Sequence, residues 1–508
     1  MRLRRREFIR LGGITAAGTI VIPSVLQSCK GTVMSNNVNS YLEHFEVTPR
    51  LLQKVIQAAM SKGGDYADLY FEHTITNYSN LQDKKVNQAS SNVGYGVGIR
   101  VLNDDQTGYA FTEEITSDSM LKAASMAANI ASKGGGRTSV GMKEHLSPDL
   151  YPVSTSWEDT SIKEKIPFLE RINDKIFALD GNVSKVNASI GDTTSYIMFY
   201  NSEGKIATDY RPLVYLAVSC VMEKNGRIEN FYVSRSSRMG SEFLTNELVD
   251  LLATEAVEKT KLQFEATKPR AGEMEVVMSP GESGILLHEA IGHAFEADFN
   301  RKGTSIFSDK LGKKVAADFI TIVDDGTLPA NRGSLNFDDE GNPTENTVIV
   351  KDGILNSYLH DKISAEYYKV NPTGNGRRQS FRYNPVPRMR CTRMENGPHK
   401  KEEIIASVKN GIYVDSFSNG QVNIGAGDFT FFVKAGYIIE KGKLTRPIKD
   451  INIIGNGPQA LADIVMAADD TKLADGTWTC GKAGQSVPVT MGLPTVKIKK
   501  LTVGGINI

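Results

Sequence analysis

The stretch VVMSPGESGILLHEAIGHAFEADFNR, residues 276–301, lies at the junction of two regions with different sequence patterns. A β-like run ends at Ser279, and Ser279 with Glu282 three places on has the pattern of a capping box that starts a helix. His288 and His293 would then both lie on this helix. The sequence therefore predicts a helix with a histidine pair at the entrance of the C-terminal part of the chain.

The two histidines are five residues apart, and Glu289 directly follows the first. Zinc hydrolases typically space such histidines four apart on a helix, with the adjacent glutamate as general base. At a spacing of five, an ideal α-helix points the two imidazoles about 140° apart, so they could not share a metal ion. A π-bulge or a break at Gly292 would bring them together. The alternative is that both are hydrogen-bonded core residues.

A catalytic zinc ion generally needs a third protein ligand and an open position. Glu296 and Asp298 are candidates near the histidines, and Cys480, in the segment TWTCGKAGQ, is a distant one. A buried, unreactive thiol is the alternative for Cys480. Spacing does not choose among the three candidates.

Upstream of the histidine motif, the pattern of helix, several strands and helix occurs twice between residues 45 and 265. This order predicts an α+β fold whose N-terminal part consists of two similar halves. We place an N-terminal α+β region at 41–150 and a central α+β region at 151–268. Residues 1–40 are assigned to an export signal and linker.

Downstream of the motif, β-rich runs alternate with turn signals to the end of the chain. Asp352-Gly353 and Lys441-Gly442 each lie between two such runs and predict tight hairpin turns. We therefore predict a β-rich, mostly antiparallel C-terminal domain over residues 269–508, which carries the metal-binding helix.

The composition is that of an ordinary globular protein. The 508 residues allow two or three domains, and 59 basic residues balance 59 acidic ones. A chain without net charge has no electrostatic footprint for nucleic acid, so we expect no nucleic-acid partner.

The first thirty residues have the pattern of an export signal. The segment MRLRRREFIRLGG is basic, contains paired arginines and precedes a short, weakly apolar run. This pattern resembles a twin-arginine signal and predicts an exported protein, either periplasmic or anchored to the membrane on its outer side. LQSC resembles a lipoprotein cleavage box, which makes Cys29 a candidate lipid anchor. The alternative is a frayed basic terminus on a cytoplasmic protein.

A second cluster of candidate functional residues is the arginine-rich segment GRRQSFRYNPVPRMRC, residues 376–391. Arg378, Arg382 and Arg388 are candidates for binding a substrate carboxylate or backbone carbonyls. The alternative is a solvated basic loop.

Several long motifs in order resemble the TldD/PmbA family, specifically its TldD branch. The strongest are HEAIGHAFEADFNRKGTSIFS, DDGTLPANRGS, GRRQSFRYNPVPRMRCT, GDFTFFVKAGYIIEKGKLTRPIK and CGKAGQSVPVTMG. The resemblance implies a zinc metallopeptidase in which His288, His293 and Cys480 bind Zn²⁺. It also implies Glu289 as general base and a zinc-bound water as nucleophile.

The resemblance further implies unfolded peptides as substrates and a pairing of two subunits, either a homodimer or a heterodimer with a PmbA-like protein. The alternative function is a catalytically inert peptide-binding or assembly subunit, because the PmbA branch lacks the histidine motif. The intact His288-Glu289 pair favours the enzyme. The best-known members of the family are cytoplasmic, so the export signal is a departure from their pattern.

Overall fold

A computed structural model describes residues 37–130, 141–145 and 147–505 of the chain. The predicted export signal and Cys29 lie outside these residues, so both stay predictions. No helix in the described ranges is long and apolar enough to cross a membrane.

The N-terminal and central regions form a layer of helices on one β-sheet. The helices are α1 (Val38–His44), α2 (Pro49–Met60), α3 (Ser117–Ile130), α4 (Ile162–Leu179) and α5 (Asn246–Glu265). The strands are β1 (Tyr66–Gln82), β2 (Lys85–Asn103), β3 (Gln106–Thr112), β4 (Lys143–Glu144), β5 (Val183–Asn201), β6 (Lys205–Lys224) and β7 (Arg227–Ser237).

The seven strands form a single sheet in which β3, β2, β1, β5 and β6 lie side by side, with β4 and β7 both on the outer side of β6. Each half contributes three antiparallel strands, and the antiparallel pairing of β1 with β5 joins the halves. The predicted α+β fold with two similar halves is therefore confirmed. The halves share one sheet, whose apolar residues pack in two clusters, one with α1, α2 and α3 and the other with α4 and α5; β5 and β6 contribute to both.

The central strands are 17 to 20 residues long, longer than the sequence predicted. Beyond His73, β1 continues through the polar run TITNYSNLQ, which pairs with β2 and β5. A segment that is polar on both faces lacks the alternation that marks a strand in sequence. Pairing with neighbouring strands extends it where the side-chain pattern gives no signal.

The C-terminal domain contains four short α-helices and sixteen strands in the described residues. The helices are α6 (Ala297–Arg301), α7 (Lys362–Tyr368), α8 (Lys401–Ala406) and α9 (Gly457–Ala462). The strands up to residue 422 are β8 (Gly272–Met278), β9 (Ile322–Asp325), β10 (Asn346–Lys351), β11 (Ile354–Leu355), β12 (Gly376–Arg377), β13 (Val386–Pro387), β14 (Cys391–Met394) and β15 (Asn410–Val422). The remaining strands are β16 (Asp428–Glu440), β17 (Lys443–Asn456), β18 (Ile464–Ala467), β19 (Lys472–Leu473), β20 (Thr479–Lys482), β21 (Gln485–Pro488), β22 (Thr490–Leu493) and β23 (Val496–Val503).

Two six-stranded sheets build this domain, in the orders β17-β16-β15-β8-β23-β18 and β11-β10-β9-β14-β22-β19. All pairings are antiparallel except β8 with β15 and β14 with β22. The histidine motif follows β8, and its apolar residues belong to the same buried core as strands of both sheets. Asp352-Gly353 and Lys441-Gly442 form the predicted two-residue turns, with positive φ at both positions of each turn.

Buried ion pairs attach the C-terminal domain to the N-terminal sheet. Arg100 of β2 binds Asp68 of β1 and reaches Glu340 at 2.5 Å, and Arg211 of β6 reaches Asp339 at 2.5 Å. Charges without access to water tolerate little displacement, because a lost partner leaves an uncompensated buried charge. These contacts fix how the two parts of the chain meet.

Candidate metal centre

The backbone of the histidine motif departs from an ideal α-helix, as the five-residue spacing predicts. Leu286–Ile291 is a π-helix, and Gly292–Phe295 continues as a 3-10 helix. Ile291 marks the break, with φ −134° and ψ −45°. Gly292 donates its backbone N–H to Leu287, five residues earlier, and His293 follows directly in the 3-10 segment. This wide turn and the break at Ile291 together bring His288 and His293 to the same side. The predicted departure around Gly292 is confirmed.

The predicted capping box at Ser279 is wrong. The backbone N–H of Ser279 donates to Val414 at 2.9 Å, so the residue still belongs to the sheet. Its hydroxyl lies 3.2 Å from that of Ser283 and donates to the carbonyl of Asp415 at 3.0 Å. The chain turns at Gly281, where φ is 89°, and the first helical turn begins at Glu282 without a side-chain cap. Sheet pairing persists past the point where the local pattern predicted a helix start.

Three side chains converge behind this break. Donor atoms of His288, His293 and Cys480 all lie within 4.8 Å of one another. The Sγ of Cys480 lies 3.5 Å from Nε2 of His293, and the two imidazole rings are 5.1 Å apart and nearly perpendicular. All three residues are buried, with exposed fractions of 1%, 4% and 1%. The structure therefore brings together the two motif histidines and the distant cysteine.

The ring nitrogens of His288 are a second indication that the cluster binds a metal ion. Neither of its ring nitrogens has a hydrogen-bond partner within the described part of the chain. A buried polar atom left without a partner costs about 1–3 kcal/mol. A metal ion bound by one nitrogen removes the cost for that nitrogen, whereas the alternative of two satisfied core histidines does not fit His288.

Glu296 and Asp298, the other two ligand candidates, are engaged elsewhere. Oε2 of Glu296 lies 2.9 Å from Nδ1 of His293, on the side of the ring away from Cys480. Lys482 lies 3.0 Å from Glu296 and 2.7 Å from Asp298. A carboxylate on one ring nitrogen fixes the tautomer and leaves the other nitrogen to face a metal.

The charges of this cluster stabilise each other. Burial opposes ionisation of Glu296, but the charges of Lys482 and His293 prevail and lower its pKa to about 2. Burial also works against a charged His293, yet Glu296 and Cys480 hold its pKa well above the usual value. The Cys480 thiol behaves in the same way: burial disfavours the thiolate, but His288 and His293 lower its pKa well below normal. A thiolate is the form of cysteine that binds metal.

Glu289 differs from these residues in its access to solvent. Its side chain is 23% exposed, and Oε2 lies 4.0 Å from Nε2 of His293. The carboxylate is therefore next to the cluster but on its open side. A group that exchanges protons with water or substrate needs this access.

The arginine segment is mostly internal, which excludes a solvated basic loop. Arg388 is fully buried and donates to the carbonyl of Cys480 at 2.6 Å. Arg378 is buried and donates to the carbonyl of Asp339 at 2.8 Å. Arg382 is 39% exposed and pairs with Glu113 at 2.7 Å. A substrate contact by these arginines stays a prediction, and Arg388 has a contact that holds the backbone of Cys480.

Sequence reasoning missed Lys482 as part of the centre. In strand β20 it lies two residues after Cys480, and alternate residues of a strand point to the same face. This alternation could have shown in the sequence that Lys482 lies beside Cys480. Nothing in the sequence shows that Lys482 pairs with Glu296, because that contact depends on the fold.

Comparisons with known proteins identify the family of the chain. The family models for the PmbA/TldA metallopeptidase domain 1, central domain and C-terminal domain match residues 67–131, 155–264 and 271–505. The chain belongs to the PmbA/TldD family.

Its relatives indicate the TldD branch. The metalloprotease TldD homologue of Haemophilus influenzae is 38% identical over 483 residues, which cover 93% of this chain and 100% of the relative. A relative from Saccharolobus solfataricus, called a zinc metalloprotease TldD homologue, is 28% identical over 457 residues, 89% of this chain and 99% of its own.

Solved structures share the fold. A proposed modulator of DNA gyrase from Thermotoga maritima matches with a TM-score of 0.73 and 22% identity, covering 91% of this chain and 100% of its own. TldE from Thermococcus kodakarensis matches with a TM-score of 0.70 and 19% identity, covering 90% and 100%. At these identities the likeness concerns the fold.

Proposed function

We propose that the protein is a zinc-dependent metallopeptidase that hydrolyses peptide bonds in unfolded peptides, with Glu289 as general base and a zinc-activated water as nucleophile. One observation carries the proposal. His288, His293 and Cys480 hold donor atoms within 4.8 Å of one another, and a partly exposed glutamate lies beside them.

The donor set fits zinc. Two imidazole nitrogens and one thiolate are ligands of catalytic zinc sites, which keep a fourth position open for water or substrate. A thiolate disfavours Mg²⁺ and Ca²⁺, which prefer oxygen ligands. The buried position of Cys480 and the unpartnered nitrogens of His288 support the same assignment.

The residues around the centre then have separate tasks. A bound zinc ion would lower the pKa of the attacking water and polarise the scissile carbonyl. With the ion bound, Glu289 would accept a proton from the attacking water and return it to the leaving amine as the peptide bond breaks. Glu296 holds the ring of His293, and Arg388 holds the backbone of Cys480. The family and its fold support a second subunit as partner, either another copy or a PmbA-like protein.

The test combines metal analysis with hydrolysis of an unstructured peptide, with and without a chelator. Glu289→Gln should keep its zinc and lose a factor of about 10²–10⁴ in hydrolysis, the usual contribution of a general base. Cys480→Ala should lose zinc. Cys220→Ala is the matched control, because Cys220 is equally buried but lies in β6 of the N-terminal sheet.

Zinc-free and inert wild-type protein would instead favour the alternative, a peptide-binding or assembly subunit. Full activity of Glu289→Gln would contradict the role of that residue. Unchanged zinc content of Cys480→Ala would show that Cys480 is not the third ligand.

A further inference from the structure

A cleft of about 510 Å³ lies between the central region and the C-terminal domain. One wall is strand β7, another is formed by β15 and β16, and the segment 476–478 closes one end. Its lining includes the aromatic residues Phe231, Tyr232, Phe417, Phe432 and Trp478. The cleft therefore offers apolar walls between two domains, a usual location for a ligand.

Two residues that line the cleft shortly precede residues of the metal centre in the chain. Glu282, which lines it, lies six residues before His288, and Trp478 lies two residues before Cys480. Two residues of extended chain span roughly 7 Å. A peptide with its scissile bond at the metal centre would place a nearby side chain at this cleft.

Glu282 is the unsatisfied charge of the cleft. Its backbone carbonyl accepts the N–H of Ile285, but its carboxylate makes no hydrogen bond or ion pair with the part of the chain that the structure describes. Burial raises its pKa to about 7; Lys259 on α5 opposes this rise, whereas Asp475, Asp415 and Glu255 add to it. A carboxyl in this position would be stabilised as an anion by an added cation.

The cations that line the cleft are already paired. Arg235 lies 2.6 Å from Glu255 and 2.8 Å from Asp475, Lys259 lies 2.9 Å from Glu255, and Lys434 lies 3.4 Å from Asp450. Each of these three cations has a carboxylate partner, whereas the carboxylate of Glu282 has none among the described residues. A positively charged ligand would supply a partner for Glu282, and an acidic ligand would not.

We propose that this cleft binds the cationic side chain of a lysine or arginine in the substrate peptide, with Glu282 as its counter-ion. The aliphatic stem of either side chain would pack against the aromatic walls, as such stems do on apolar surfaces. The ammonium or guanidinium group would meet Glu282 and the ring of Trp478. The identity of the bound group as a substrate side chain rests on the proposed peptidase function.

Binding can be measured without turnover in zinc-loaded Glu289→Gln protein. The ligands are unstructured peptides with blocked ends that differ at one position, lysine, norleucine or glutamate. Trp478 is one of only two tryptophans, and the other, Trp157, is buried in the central region. Tryptophan fluorescence therefore reports on the cleft. We expect the lysine peptide to bind about tenfold more tightly than the norleucine peptide, as for one charge-assisted hydrogen bond.

Glu282→Gln, in the same background, should abolish this preference and leave the affinity for the norleucine peptide unchanged. Glu282→Lys should reverse the preference in favour of the glutamate peptide. Glu258→Gln is the matched control, because Glu258 is an exposed glutamate on α5 and does not line the cleft. Equal affinities for all three peptides, or a lysine preference that survives both Glu282 variants, would overturn the proposal.

Hydrolysis by the wild-type protein separates this inference from the proposed function. Moving the lysine by one residue should move the cleavage site by one residue. Cleavage at positions independent of the lysine leaves the peptidase standing and contradicts the cleft assignment. A Glu282-dependent preference for lysine without any hydrolysis contradicts the peptidase and supports the cleft.

Discussion

Gly292 allows the break that brings the two histidines together, and alanine should not be tolerated there. A Cβ at this position would lie 2.8 Å from the carbonyl oxygen of Leu287 and 2.2 Å from Sδ of Met389. The methionine side chain can move, but the Leu287 carbonyl accepts the backbone N–H of Gly292 and belongs to the π-helix. The strain of Gly292→Ala must therefore be relieved in the backbone that carries His293.

Gly292→Ala can be accommodated in two ways. If the backbone holds, overpacking should reduce the free energy of unfolding by ~1–3 kcal/mol. If the π-helix relaxes to an α-helix instead, the imidazoles of His288 and His293 rotate to about 140° apart and can no longer face one ion. The second route displaces His293, so in that case we expect zinc affinity to fall by at least about tenfold, the smaller effect of disturbing the support of a ligand. In the first case the cost appears as lost stability.

The assay is competition for zinc against a chromophoric chelator, combined with thermal unfolding of the metal-free protein. Gly481→Ala is the matched control, because Gly481 is adjacent to Cys480 but a Cβ there meets nothing within 4 Å. The control should keep the wild-type zinc affinity. Wild-type affinity and stability in Gly292→Ala would refute the role assigned to the break.

Two further predictions concern charge. Lys482→Met should lower zinc affinity about 10–100-fold, because Glu296 would face His293 without its cation. The control is Lys400→Met, which removes an exposed ion pair with Asp469 and should leave the zinc affinity unchanged in the same chelator competition. His360→Phe should flatten the acid dependence of stability: burial lowers the pKa of His360 to about 4, whereas an unfolded histidine titrates near ~6.5. As the pH falls through this window the unfolded state takes up a proton that the folded state excludes, so the wild-type protein should lose up to ~3 kcal/mol that the variant keeps. Denaturant unfolding of both metal-free proteins at pH 7 and pH 4.5 checks this, and parallel loss in the two would contradict it.

Features set by neighbouring residues were predictable. The turns at Asp352-Gly353 and Lys441-Gly442 follow from residues that tolerate positive φ between two β-like runs. The prediction of a capping box at Ser279 was wrong because a contact with a distant strand decided the local structure. Its pattern is local, but the hydrogen bond from Ser279 to Val414 in β15 is not, and pairing with a strand distant in sequence outweighed the local preference.

The ionised side chains that surround the centre were the least predictable part. Arg388 and Lys482 lie in motifs that the sequence analysis identified, but nothing in those motifs predicts that these side chains are buried or which groups they contact. Burying these charges is favourable only because Lys482 pairs with Glu296 and Arg388 donates to the carbonyl of Cys480. Such partners exist only once distant segments have packed.

The sequence by itself determined that the helix after β8 must depart from ideal geometry if His288 and His293 are to meet, since their five-residue spacing allows no other solution on one short segment. Only the tertiary structure decided which third side chain joins them. Cys480 reaches His293 across 187 residues of chain, whereas Glu296 and Asp298, near in sequence, turn to Lys482. The physical reason is that backbone geometry depends on adjacent residues, whereas long-range contacts depend on the packing of the whole domain.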